Sequence, residues 1–227
     1  MIRLCRYFSL LILLSFCIQF ADAQSSFDVN VGFGAAQAKA LGSVDINTLG
    51  PCTTGSTCST TADLNNFMLG VGANLMLWNH FGVGGQINIQ PARKDYLVFQ
   101  QASAGQTFND VLQSRVSFYD FNGIFQPVAT KKASLQLIGG IGAANVKFYE
   151  HVSGSQPILG NTNQTQYLQS SNHFQVHGGA GVQIYLTDHV FIRPEFDIRY
   201  VNNFTQQFGR NLVTQEMVWI GYSMGRQ

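Results

Sequence analysis

Charge is scarce in this chain. Asp, Glu, Lys and Arg make up 11% of its 227 residues, against about 25–35% on the surface of an ordinary soluble domain. A water-wetted globule with so few charges is unusual, whereas a lipid-wetted one is not. Neither sign is in excess: 13 basic residues stand against 12 acidic ones. The electrostatic footprint of a nucleic-acid-binding protein is therefore missing. Long apolar runs are absent beyond the N-terminus, and that one run is too short for a spanning helix, which needs about 20 apolar residues. If the remainder enters a membrane it must do so as a closed barrel. Only helices and closed barrels satisfy every backbone N–H and C=O in hydrocarbon.

What is present begins with an export signal. Met1-Ile2-Arg3-Leu4-Cys5-Arg6 is a charged n-region, Tyr7 to about Phe20 an apolar h-region, and Ala21-Asp22-Ala23 an A-x-A cleavage site. Residues 1–23 are expected to be a cleaved signal peptide and residues 24–227 a single domain that starts at Gln24. The alternative is a retained anchor. Leu14-Ser15-Phe16-Cys17 is discounted as a lipoprotein box because bulky Phe16 precedes the cysteine. Cleavage removes Arg3, Arg6 and Asp22, which leaves acidic and basic residues equal in number. It also removes two of the four cysteines. The remaining pair, Cys52 and Cys58, flanks the polar segment Thr53-Thr54-Gly55-Ser56-Thr57. In an exported chain that spacing favours a disulfide, worth roughly 2 kcal/mol for so short a loop in the chain-entropy model. A metal pair is the weaker reading, since no histidine lies near.

The rest of the chain repeats one kind of segment, roughly ten residues in which apolar side chains alternate with small or polar ones. Such segments read as β-strands with one apolar face. Eight are expected, over 27–36, 66–78, 81–90, 115–127, 134–148, 172–185, 190–201 and 213–225. Short connections (Asn79-His80, Val128 to Ala133, Leu186 to His189) alternate with long polar ones (37–65, 91–114, 149–171, 202–212). An up-and-down transmembrane barrel shows this alternation, with short periplasmic turns and long outer loops. Tyr96-Leu97-Val98-Phe99 extends a strand above the membrane. The fold class is therefore all-β, an eight-stranded antiparallel up-and-down transmembrane barrel.

A soluble lipocalin-like barrel would alternate too, with its apolar residues inside. Residue type separates the two. The polar set contains Gly70, Gly72, Asn74, Gly84, Gln86, Asn88, Asp120, Asn122, Gln136, Gly140, His173, Gln175, His177 and Gln183. It is rich in glycine and amides and nearly free of lysine, unlike a strand face in water. A lumen filled by side chains from eight strands needs such a mixture of small and larger polar residues. The apolar set, including Val71, Ile87, Leu137, Val182 and Ile198, is aliphatic at strand middles. Phe27, Phe67, Trp78, Phe81, Phe125, Phe174 and Tyr200 stand near strand ends, where interfacial aromatics belong. The apolar face is expected to meet lipid.

Chemistry-bearing residues are few. Arg193, Glu195, Asp197 and Arg199 share one face of the seventh expected strand, and in a lumen they need partners. Same-face neighbours lie about 7 Å apart along a strand, so pairing is expected largely across strands, with Asp120 and Gln136 as contributors. This set is read as a structural charge cluster; the functional alternative is a narrow polar channel or an acid–base site. Pro194, which removes a ladder hydrogen bond, implies a bulge. His173 and His177, about 13 Å apart at strand rise, cannot share a metal and are read as lumen hydrogen-bonding groups. His80 and His189 lie in short turns and His151 in a long connection. No nucleophile stands at a recognisable spacing from a histidine. The Gly139-Gly140-Ile141-Gly142 and Gly178-Gly179-Ala180-Gly181 runs lack the Lys-Ser/Thr of a phosphate loop. No catalytic, cofactor-binding or metal-ligating residue is expected.

The segment Leu69 to Ile89, the strand Tyr119-Asp120-Phe121-Asn122-Gly123, the run Leu137 to Gly142 and the segment Ile192 to Tyr200 together resemble the small eight-stranded outer-membrane barrels of the OmpA/OmpX-type superfamily, in its broad outer membrane beta-barrel group. The likeness spans nearly all of residues 24–227 and rests on order and spacing. One departure concerns the C-terminus. Such barrels usually end on an aromatic residue read by the assembly machinery, whereas this chain ends Tyr222-Ser223-Met224-Gly225-Arg226-Gln227, with Tyr222 and Met224 on the lipid face. The resemblance implies a non-enzymatic protein of the bacterial outer membrane, with an envelope-structural or adhesin-like role through its outer loops. Its implied partners are outer-membrane lipid, the barrel-assembly machinery and an extracellular ligand, with no nucleic acid and no cofactor. The loop holding Cys52 and Cys58 is the first candidate contact surface. Two alternatives stand beside this reading: a lipid-modifying enzyme on the same scaffold, which needs a serine and a carboxylate beside His173 or His177, and a secreted lipocalin-like carrier.

Overall fold

Ten strands in chain order account for nearly all of the structure, a computed structural model that describes residues 26–39, 57–60, 64–78, 80–103, 106–156 and 160–225. The expected signal peptide and Cys52, and with Cys52 the expected disulfide, lie outside the described residues. Among these residues no helix is long and apolar enough to cross a membrane. The strands are β1 (Ser26–Ala38), β2 (Thr57–Thr60), β3 (Leu64–Met76), β4 (Phe81–Ile89), β5 (Lys94–Ser103), β6 (Gln106–Ala129), β7 (Ala133–Gln156), β8 (Gly160–Tyr185), β9 (Val190–Val201) and β10 (Leu212–Met224). All pairings are antiparallel. Going round, β6, β4, β3, β1, β10, β9, β8 and β7 follow one another, and β6 pairs with β7 to close the ring. Eight strands thus form a barrel with no free edge at its waist, as expected from the alternating turns.

Binary patterning fixes which face points where. In β1 the burial alternates strictly through Asp28, Asn30 and Gly32, with Val29, Val31 and Phe33 turned out. Val31 stands opposite Val71 on β3 and Ile220 on β10, so outward residues meet outward residues. A one-residue slip would invert every side chain in the strand. The outward band is largely apolar: Val71 is 53% exposed, Ile87 43%, Leu137 44%, Val182 42% and Ile198 45%. The carrier reading required these side chains inside, and it falls on this observation. Phe27, Trp78, Phe81 and Phe125 ring the end with the short turns, and Phe67, Phe174 and Tyr200 the other; all seven face outward. Phe81 and Phe125 pack at 4.9 Å between ring centroids.

Two expectations need correction. First, residues 91–114 and 149–171 are largely strand rather than loop. β6 and β7 run 24 residues each and β8 runs 26, about 80 Å at strand rise, where a membrane crossing needs only about 9–11. Their far halves, with β5 and β2, build a sheet that continues past the ring. The one-sided apolar alternation vanishes there because much of this sheet meets water. Main-chain pairing and polar cross-strand contacts hold it instead, such as Asn145 to Asn172 at 2.7 Å and Gln113 to Asp95 at 2.9 Å. Second, Pro194 causes no bulge. The β8–β9 ladder lapses between Gly181/Glu195 and Ile184/Ile192 but keeps its register. One-residue shifts fall elsewhere: between Phe125 and Val128 of β6, where Pro127 sits, between Phe148 and Tyr149 of β7, and between Asp95 and Leu97 of β5.

Candidate functional site

The lumen divides into two storeys. The lower is polar. Arg199 donates from one guanidinium nitrogen to both oxygens of Asp120, at 2.7 and 2.8 Å, and Gln175 donates to the same carboxylate at 2.6 Å. Asp197 stands 3.7 Å from Arg199. Arg193 pairs with Glu195 at 3.0 Å and donates to Gln136 at 3.0 Å. Glu195 also accepts from Gln86 at 3.2 Å and from the Trp219 indole at 3.1 Å. The structure therefore brings Asp120, Arg193, Glu195, Asp197, Arg199 and Gln136 into one buried network. Two of its contacts run within β9, since an arginine is long enough to reach two residues along its own strand. His177 approaches Asn122 at 2.9 Å and Asp120 at 3.6 Å. The cations also lie over aromatic rings, Arg199 above Phe118 at 5.0 Å and Arg193 near Trp219 at 5.7 Å. Opposite charges face one another through the network, which offsets part of their desolvation, although Arg193 Nη2, Arg199 Nε and Asp197 Oδ1 are buried without a hydrogen-bond partner among the described residues.

Glycine makes room for this filling. A Cβ on Gly32 or Gly70 would stand 2.5 Å from the Trp219 ring. The indole, fully buried, lies across strands β1 and β3 because both positions lack side chains. Sequence reading placed Trp219 in the last strand but gave it no role; the signal was available, in the inward parity it shares with Gln215 and Met217.

The upper storey is apolar, which the sequence reading missed. Leu64, Met68, Val116, Phe118, Val146, Phe148 and Met217 line it, and the last outer connection closes it. There a single turn, α1 (Thr205–Phe208), is bracketed by left-handed residues Asn203 (φ 58°) and Gly209 (φ 65°), the two residue types that adopt this conformation readily. The turn drops Phe204 and Phe208 into the mouth, where both are buried. Phe208 meets Tyr96 edge-on at 5.8 Å, and Tyr96 meets Phe148 at 5.3 Å. The Tyr96 hydroxyl donates to the Gln207 carbonyl, and burial pushes its pKa up to about 12. Farther out, burial and the neighbouring Glu150 both raise the Asp110 carboxyl.

His173 lies at this mouth, against Phe204 at 5.9 Å. Its Nδ1 is 3.0 Å from the Asn202 carbonyl and its Nε2 2.9 Å from Ser171 Oγ. A carbonyl cannot donate, so Nδ1–H donates to it, and Nε2 shares a hydrogen bond with the serine hydroxyl. The enzyme alternative asked for a serine and a carboxylate beside this histidine; the serine is there, and a backbone carbonyl takes the place of the acid. His80 and His189 tie the short turns to neighbouring strands, through the Gln126 carbonyl at 2.7 Å and the Ser223 carbonyl at 3.2 Å. His151 pairs with Thr165 at 2.9 Å on the far sheet. Among the described residues no group of three or more His, Cys, Asp or Glu is placed to hold a metal.

Comparison with known proteins places this architecture. The model of the family described as "Outer membrane protein beta-barrel domain" matches residues 8–222. No curated protein sequence matches the chain. Among solved structures, a major outer membrane protein from Thermus thermophilus is similar at a TM-score of 0.52 and 11% identity, covering 88% of this chain and 99% of that one. Ail, the attachment invasion locus protein of Yersinia pestis, solved in complex with the heparin analogue sucrose octasulfate, is similar at 0.49 and 15%, covering 88% and 99%. The outer membrane protein OprG of Pseudomonas aeruginosa is similar at 0.45 and 13%, covering 89% and 97%.

Proposed function

The chain belongs to the outer membrane protein beta-barrel domain family and resides in the bacterial outer membrane, and from that premise we propose that it is a non-enzymatic surface-interaction protein that binds an extracellular partner by strand addition to its projecting sheet. The free edge of β8 carries this reading. β8 pairs with β9 only from Gln175 onward, and among the described residues Gly160 to His173 have no strand on that side. Edge strands are usually blunted by charge or proline. Gly160 to Phe174 contains neither Asp, Glu, Lys, Arg nor Pro, so backbone donors and acceptors stand ready for a partner strand. The filled lumen supports the same reading, because a packed eight-stranded interior is a poor diffusion path.

The test uses the full chain in lipid nanodiscs, screened against an array of purified extracellular proteins and glycans. Successive strand residues point their N–H groups to opposite sides, so prolines placed singly at Gln164 and Thr165 act differently. One removes an edge donor, the other a bond to β7. Capture of a protein that is lost with only one of the two variants supports strand addition. Capture unaffected by both, or capture of glycans alone, overturns it.

A further inference from the structure

The lipid-facing wall contains a carboxylate that neither the lumen network nor the outer sheet explains. Glu216 of β10 points outward, opposite Ala35 of β1 and Phe196 of β9. Tyr222 at the inner rim lies six residues below it, and Leu212, opposite Tyr200 of the outer aromatic ring, four residues above. Allowing for strand tilt, Glu216 sits roughly 10 Å below the outer ring, inside an apolar band about 25 Å tall. Among the described residues no hydrogen bond or ion pair reaches its side chain. Ionisable groups at such depth are costly and mark function.

Glu216 borders a groove of about 640 Å³, within the range of small-molecule sites. The groove is a dent in the barrel wall. Small residues (Ala35, Ala180, Gly181) form its floor, and Phe33, Val182 and Phe196 form its walls. Pro194 lies in it as well, where the β8–β9 ladder lapses and Val182 and Gln183 have no partner on β9. Proline has no N–H to offer β8. Every polar group in hydrocarbon needs a partner, and the Glu216 carboxyl has none among the described residues. A plain hydrocarbon chain does not supply one.

We propose that this groove binds one outer-leaflet lipid whose acyl chain carries a hydrogen-bond donor, an amide N–H or a hydroxyl, near its head group. The acyl chain lies over Ala35 and Ala180, and the donor pairs with Glu216. The site is independent of the strand-addition reading, since it lies on a different face of the barrel and within the membrane.

The experiment reconstitutes the full chain in nanodiscs of two lipids matched in acyl length. One is a hydroxylated N-acyl amide lipid; the other is phosphatidylcholine, whose ester-linked chains carry no donor. Lipids retained after gentle detergent release are counted by native mass spectrometry. The wild type is expected to retain the amide lipid roughly tenfold over its supplied ratio, the size of one hydrogen bond. Glu216→Leu abolishes the enrichment by removing the acceptor, and Ala180→Phe by filling the floor. Ala35→Leu fills the floor from β1, beside Glu216, should Ala180→Phe fail to fold. Each variant is first checked for a heat-dependent gel shift, so that loss of binding is not loss of the barrel. Retention of both lipids in the supplied ratio by the wild type overturns the proposal. So does undiminished enrichment in folded Glu216→Leu, or a cross-linked second copy at this face.

Discussion

Arg199 on β9 and Asp120 on β6 meet across the lumen, with one guanidinium nitrogen 2.7 and 2.8 Å from the two carboxylate oxygens. The strands that carry them are not neighbours, since β7 and β8 stand between them in the ring. The pair therefore ties opposite walls of the barrel together, and both side chains are fully buried. Loss of one partner strands the other charge. Asp120→Leu is expected to destabilise the barrel by about 3–5 kcal/mol, while the double variant with Arg199→Met recovers most of that loss. Urea unfolding in lipid vesicles, followed by tryptophan fluorescence, measures both. Equal stability of the single and double variants would contradict the pairing.

The outer plug should respond to alkali. The Tyr96 hydroxyl is held up at about 12 by burial, against about 10 for a tyrosine in water. Because its folded value is raised, its contribution is whole below pH 10 and declines as pH climbs from 10 toward 12. Over that window the turn carrying Phe204 and Phe208 is expected to undock while the ring stays closed. Hydrogen-exchange protection of residues 202–211 reports the undocking, and Tyr96→Phe removes its pH dependence, because no hydroxyl is left to ionise, while lowering protection already below pH 10 by loss of the bond to Gln207. Wild-type exchange that is flat across this range would refute the arrangement.

Trp219 needs the two glycines beneath it. Gly70→Val drives a side chain into the indole and is expected to cost about 1–3 kcal/mol; Trp219→Ala leaves a cavity and costs about 3–5 kcal/mol. With Trp78→Phe in the background, Trp219 is the one remaining tryptophan of the two in the chain. A Gly70→Val protein that keeps the wild-type emission maximum and stability would show that the ring is not confined.

Export makes two further predictions from sequence alone. We propose cleavage after Ala23 and a disulfide between Cys52 and Cys58. N-terminal analysis of protein recovered from outer membranes is expected to begin at Gln24. A thiol probe is expected to label the denatured protein only after reduction. An N-terminus at Met1, or labelling without reductant, removes the respective proposal.

The ring was legible because its signal is local. Val29, Val31 and Phe33 alternate with Asp28, Asn30 and Gly32 at the strand period, and that parity does not depend on which strand comes next. The short turns were legible for the same reason. The projecting sheet was not. In Gly160 to Ser170 polar residues occupy both faces, so periodicity carries nothing, and pairing with β7 decides the conformation. The upper apolar storey was hidden for a different reason: Tyr96, Phe148, Phe204 and Phe208 come from three separate segments, so no local pattern joins them. Glu216 was overlooked because one charge in an apolar row barely alters the pattern.

Residue order alone thus determined the parity of each strand, the ring of eight and the medium outside it, because side-chain alternation has a period of two wherever the chain runs extended. Only the tertiary structure decided how the lumen charges pair, that the last connection folds inward as a plug, and that Glu216 opens onto a groove beside Pro194. Those outcomes depend on strand register and barrel closure, which bring together residues as far apart in sequence as Asp120 and Arg199.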